Sequence, residues 1–219
     1  MKLFTLVLCC VISTANAQSS TQYDVSRTAM KEVLDIASRS FITLRKIVTE
    51  QNFKTMGFES VDEVTSATLG QPIHVYMVRL DDLRAYKQGI DPNTLLKSLD
   101  KEIFPVSVNE QVRSSVMVEK VGDKWNVTSF GAPKLIKLLS KARKDISDTT
   151  GVPLNSCFAV HVAALNTYYI GHRAENNKLM LTTILDDSTL KFPAGKTIPA
   201  EDVFAALVPV AQQYNGLPL

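Results

Sequence analysis

At Gly131 the hydrophobic pattern of this chain changes period, and that change decides the kind of fold it can adopt. Upstream, Val112 to Val121 and Lys124 to Phe130 are two β-rich runs joined by Gly122-Asp123, the two-residue connection of a tight hairpin. Downstream, Pro133 opens a segment in which Leu135, Leu138, Leu139, Ala142 and Ile146 recur at helical spacing. Strands joined by a tight turn are antiparallel. A helix with one apolar side must lay that side on a sheet or on another helix.

The same alternation of periods runs through the rest of the chain. Gln18 to Tyr23 is polar and reads as loose. From Val25 to Glu50, Met30, Val33, Ala37, Phe41, Leu44 and Val48 return every three or four residues, predicting a helix of about 39 Å at 1.5 Å per residue. Its apolar stripe is wider than a coiled-coil seam, which favours packing across a sheet. Pairing with a copy of itself through residues 25–50, as a homodimer, is the alternative. Ser60 to Glu63 reads as a capping box, Ile73 to Leu80 as a strand buried on both faces, and Asp91-Pro92 as a helix start. Phe104 to Val108 reads as a short strand. Cys157 to Leu165 reads as a buried strand, Thr167 to Arg173 and Leu179 to Leu185 as a hairpin turned by Glu175-Asn176-Asn177, and Asp186 to Lys196 as a loop. A last helix runs from Pro199 to about Val208 and is bent or ended by Pro209. The order predicts an α+β fold: a mostly antiparallel sheet with helices packed on one face and a long N-terminal helix.

The amino terminus carries an export signal. Lys2 is followed by the apolar stretch Leu3 to Ser13, and Ala15-Asn16-Ala17 has the small-x-small form of a cleavage site, which makes residues 1–17 a signal peptide. The stretch is too short for a membrane span of roughly 20 residues, so no transmembrane anchor is expected. Leu8 before Cys9, and Cys9 before Cys10, are not the small residues a lipidation site needs. The mature chain, 18–219, is then a single domain. Thr149 to Asn155, with Gly151 and Pro153, is its strongest internal punctuation and the place where two lobes could meet. Cleavage also removes Cys9 and Cys10, leaving Cys157 alone and no internal disulfide. An exported protein without disulfides and with lysine-rich helices fits a bacterial periplasmic or secreted protein better than a eukaryotic one.

The residues constrain chemistry more weakly. Loss of Lys2 leaves 23 basic against 22 acidic residues, a balance that excludes a dedicated nucleic-acid binder. Lys134, Lys137, Lys141 and Lys144, with Arg143 beside the last, form a basic stripe opposite the leucine face of their helix. It could contact an anionic lipid headgroup, polysaccharide or protein partner, though a solvated helix face looks the same. Tyr168 and Tyr169 face opposite sides of one strand, close to His172 and Arg173, and whichever tyrosine meets solvent is a binding candidate.

Cys157 and His161 stand four apart on a strand, about 13 Å along it, too far for a nucleophile and its base unless the strand is broken there or His172 or His74 comes in from a neighbour. The pairs Asp81-Asp82, Asp186-Asp187 and Glu201-Asp202 invite a two-carboxylate mechanism, but all sit where caps and turns place acids. No metal-ligand spacing and no cofactor motif is present. Asn126-Val127-Thr128 is a formal glycosylation sequon, poorly placed inside a strand beside Trp125. These features predict an exported, non-catalytic binding or interaction protein. The alternative is a small hydrolase using Cys157 or an acidic pair.

Overall fold

A computed structural model describes residues 18–187 and 190–215; the expected signal peptide lies outside the described residues. In chain order the elements are helix α1 (Gln18–Arg39), α2 (Phe41–Ile47), strand β1 (Thr68–Leu69), β2 (Ile73–Val78), α3 (Leu80–Arg84) and β3 (Leu96–Val108). Then come β4 (Gln111–Val121), β5 (Lys124–Phe130), α4 (Pro133–Thr150), β6 (Phe158–Val162), β7 (Thr167–Arg173), β8 (Leu179–Thr183), β9 (Thr197–Pro199) and α5 (Ala200–Gln213). The class is α+β. The described strands form one sheet in the order β5-β4-β3-β2-β6-β7-β8-β9, with β1 pairing the far end of β3. Every described pairing is antiparallel except β2 with β6, and that pairing carries the sheet across the 149–155 segment.

Side chains alternate across the sheet, so each strand offers both faces to the core. On one face, α1 and α2 bury Val33, Ala37 and Leu44 against Phe104, Val106, Val116 and Val118. Farther along, α3 and α5 bury Leu83, Val203, Phe204 and Leu207 against Phe158, Val160, Val162, Leu179 and Leu181. Register shows that these are the same face. Glu102, two residues before Phe104, pairs with His74, and Tyr76, two residues after His74, pairs with Val160. Helices α1, α2 and α5 therefore share one side. Helix α4 covers the other, laying Ile136, Leu139, Ala142 and Ile146 on Ile73, Val75, Ile103, Ala159 and Ile170. The apolar residues on both faces of β2 require this second layer. Fully burying a side chain such as Phe104 or Phe204 contributes about 1.5–3 kcal/mol.

Several local expectations are corrected. Gln18 to Tyr23 is helical, and the N-terminal helix is interrupted at Ser40. The buried Ser40 hydroxyl donates to the Ala37 carbonyl at 2.5 Å, a side-chain bond that competes with the helical ladder. The Glu63 carboxylate receives the Glu59 N–H at 2.7 Å, so the capping contact starts one residue before Ser60. Strand β2 ends at Val78 and α3 begins at Leu80, and β3 starts at Leu96 instead of Phe104. Short β9 was not anticipated, and α5 continues through Pro209 to Gln213. Burial of Val203, Phe204, Leu207 and Ala211 outweighs the hydrogen bond that proline cannot donate. The Gly122-Asp123 hairpin is as expected, with Val121 opposite Lys124 and Gly122 at φ +62°.

Candidate functional site

Strands β2 and β3 pair with an irregularity that builds a polar cluster. Ile73 and His74 face Ile103 and Glu102, but Tyr76 faces Ser98. Between these pairs β3 passes Leu99, Asp100 and Lys101 while β2 passes Val75 alone. Asp100, inside this bulge, has φ +47°, a left-handed conformation that aspartate tolerates better than most residues. On a regular strand Ser98 and Glu102 would stand about 13 Å apart, out of reach of one ring. The bulge brings both to the same imidazole. His74 Nδ1 lies 2.7 Å from Glu102 Oε1, and His74 Nε2 lies 3.0 Å from Ser98 Oγ.

Burial grades across the three residues. Glu102 is 5% exposed, His74 is half-buried, and Ser98 is open to solvent. The Asp100 N–H donates to Ser98 Oγ at 3.2 Å. With Nδ1–H donating to Glu102, Nε2 is free to accept the serine hydroxyl hydrogen. The set has the order carboxylate, imidazole, hydroxyl.

His74 and Glu102 of this cluster line a groove of about 810 Å³ together with Met30, Leu34, Tyr76, Phe158 and Arg173 among others, and Ser98 stands beside it, outside that lining. The groove runs where the packing of α1 and that of α5 leave the shared face uncovered. Met30 and Leu34, at 36% and 41% exposed, form its α1 wall. Tyr76 meets the edges of His74 at 4.6 Å and Phe158 at 5.0 Å between ring centres. Arg173 lies over the Phe158 ring at 5.2 Å, and its Nε donates to Asn93 Oδ1 at 3.2 Å. Asn93 is held in turn by the Asp91 carboxylate at 2.9 Å. Its hydrogen bonds, with Asn93 in first place, keep the Asp91 carboxyl below its ordinary range. The two terminal nitrogens of Arg173 have no protein partner among the described residues.

The residues singled out in the sequence are scattered. Lys134, Lys137, Lys141 and Lys144 are exposed on α4, but Lys141 pairs with Asp145 at 2.5 Å and Lys144 with Asp148 at 2.7 Å. Arg143 is not part of that stripe. It is 5% exposed and turned inward, and burial lowers its pKa. Tyr169 is fully buried on the α5 side, and burial raises its phenol well above the usual range. Tyr168, on the α4 side, stacks on His161 at 4.0 Å. With Lys134, Leu138 and Leu185 it lines a second cavity of about 490 Å³. His172 is buried beneath the surface, so Arg173 alone of that pair reaches the groove.

The candidates of the hydrolase alternative do not converge. Cys157 is buried; burial pushes its thiol up, against a smaller opposing effect of Arg143, and His161 is engaged with Tyr168. Asp81-Asp82 and Glu201-Asp202 occupy first helical turns. Asp186 and Asp187 receive the N–H groups of Ala194 and Leu190 within their loop. Among the described residues no three His, Cys, Asp or Glu side chains assemble as a metal site, and no helix is long and apolar enough to cross a membrane. Ser98 and Glu102, and their convergence on His74, escaped the sequence reading because no local motif announces a bulge; Asp100 between two strand residues was the nearest signal. No protein family matches the chain, and neither does any curated protein or solved structure.

Proposed function

We propose that the mature protein is an exported binding protein whose groove holds a small ligand with an anionic group and an apolar body. Export rests on the signal-like residues 1–17. The observation that carries the ligand class is Arg173. Its guanidinium lies over the Phe158 ring and is held through Nε, leaving a fork that suits a carboxylate or phosphate. Tyr76, Phe158, Met30 and Leu34 supply the apolar length beside it, and the groove volume lies in the range of small-molecule sites. The α4 stripe is a weaker anchor for an anionic surface, since two of its four lysines are already paired with aspartates on the same helix.

Decanoate and decanol test the reading by calorimetry, having the same chain with and without a charge. Decanoate is expected to bind about tenfold tighter or more, as a charge-assisted bond of about 1.5–3 kcal/mol requires. Arg173→Ala is expected to abolish the difference. Equal affinity of the two probes for the unaltered protein overturns the proposal.

A further inference from the structure

The cluster beside the groove has a geometry that binding alone does not require. We infer that Ser98 is an activated nucleophile that hydrolyses carboxylic esters beside the groove; the substrate class, an ester whose anionic group and apolar chain reach past His74 into the groove, rests on the binding reading above, whereas the reactivity of Ser98 does not.

The argument starts from the bulge. A strand built only for pairing has no need of the left-handed Asp100, and bulges of this kind re-aim side chains next to reacting centres. Here it aims two side chains at one ring, at 2.7 Å and 3.0 Å. The acid of the set is the most buried member and the hydroxyl the most exposed, which is the gradient a nucleophile and its base need. The Asp100 N–H donates to Ser98 Oγ at 3.2 Å, closer than the 3.5 Å at which the hydroxyl could instead turn to the Asp100 carboxylate.

The reaction balances with water as co-reactant. Ser98 Oγ bonds to the ester carbonyl carbon while its proton passes to His74 Nε2. The carbon–oxygen bond to the alcohol breaks, and Nε2–H protonates the departing alkoxide. Water then attacks the acyl-serine as His74 Nε2 takes its proton; the acyl carbon–Oγ bond breaks, Nε2–H returns the proton to Ser98 Oγ, and the acid leaves. Glu102 touches no reacting atom. It is a positioning residue that holds the ring with Nδ1 toward itself and Nε2 toward Ser98.

The test combines an alkyl fluorophosphonate, read by intact mass and peptide mapping, with hydrolysis of p-nitrophenyl hexanoate, both on the mature protein. One phosphonyl adduct on Ser98 is expected. Hydrolysis should exceed that in buffer by the contribution of a general base, about 10²–10⁴-fold, with nothing added for an oxyanion hole. Ser98→Ala should lose both signals while keeping its circular dichroism and its decanoate affinity. Glu102→Gln should lower kcat about tenfold or more at unchanged KM, a split that a merely structural role does not produce. No adduct, an adduct elsewhere, or hydrolysis unchanged in Ser98→Ala overturns the inference. Those outcomes with decanoate binding intact leave the binding reading standing. Labelling of Ser98 without decanoate binding sinks the binding reading instead.

Discussion

Arg143 reaches inward from α4 and donates to the Pro72 carbonyl at 2.8 Å and the Gln71 carbonyl at 2.9 Å. Gln71 and Pro72 rim the groove and lead directly into Ile73 and His74. A residue that looked like one more surface cation therefore ties the helix to the site. Arg143→Ala leaves two carbonyl groups without their charged donor and should destabilise the protein by about 3 kcal/mol. For a domain of this size that is a fall of about 6–12 °C in melting temperature. Arg143→Lys, which can serve one carbonyl, should recover part of it. A melting curve unchanged in Arg143→Ala would show that water replaces the guanidinium.

Gly171 and Phe158 meet across the β6–β7 pair so closely that a Cβ at 171 would stand 2.5 Å from Phe158 Cε2. Gly171→Ala must turn the ring, and the ring is the platform beneath Arg173. Stability should drop by about 1–3 kcal/mol, the usual range for overpacking. Decanoate affinity should fall with it although the substituted residue is not among those that bind. Lost stability with unchanged affinity would show that Arg173 does not depend on the ring.

What the sequence revealed and what it hid divide along one physical line. The hairpin at Gly122-Asp123, the Asp91 cap and the apolar spacing of α4 are local, and each was legible from a few neighbouring residues. The groove was not. Ser98 and Glu102 become neighbours of His74 only through a bulge, which depends on β2 and β3 pairing with unequal numbers of residues. Arg143 was misassigned because helical spacing shows which residues share a face, while burial of a charge depends on whether carbonyl groups wait opposite it. Alternation along a strand shows that Tyr168 and Tyr169 face opposite sides, but not which side meets solvent. With helices on both sides of the sheet, neither is freely exposed.

Two histidines set the response to acid. Burial holds both imidazoles below their ordinary value, and Lys101 adds to the effect at His161. Nδ1 of His172 and Nε2 of His161 have no partner among the described residues, so the neutral ring is the native form. A lowered folded pKa means that the unfolded chain takes up the proton first. This stability is complete above about pH 6.5 and is lost as pH falls from there through the folded values. The urea midpoint should therefore fall between about pH 7.5 and about pH 5.5. His172→Leu should flatten that fall. An equally steep fall in the variant would assign the response to other groups.

Leu34 distinguishes the two things that could lie against α1. It is 41% exposed, and with Met30 it walls the groove on the side facing Tyr76 and Phe158. Helix α1 already spends Val33 and Ala37 on the sheet, so its remaining apolar width is narrow for a stable seam with a second copy. Light scattering should report a monomer for residues 18–219, and Leu34→Asp should leave that mass unchanged. The same substitution places a carboxylate beside the path of the decanoate chain and should weaken decanoate about tenfold, through lost apolar contact and added repulsion. A dimer that Leu34→Asp splits, with decanoate affinity intact, would instead assign this wall to self-association and leave the ligand to Arg173 and the aromatic floor alone.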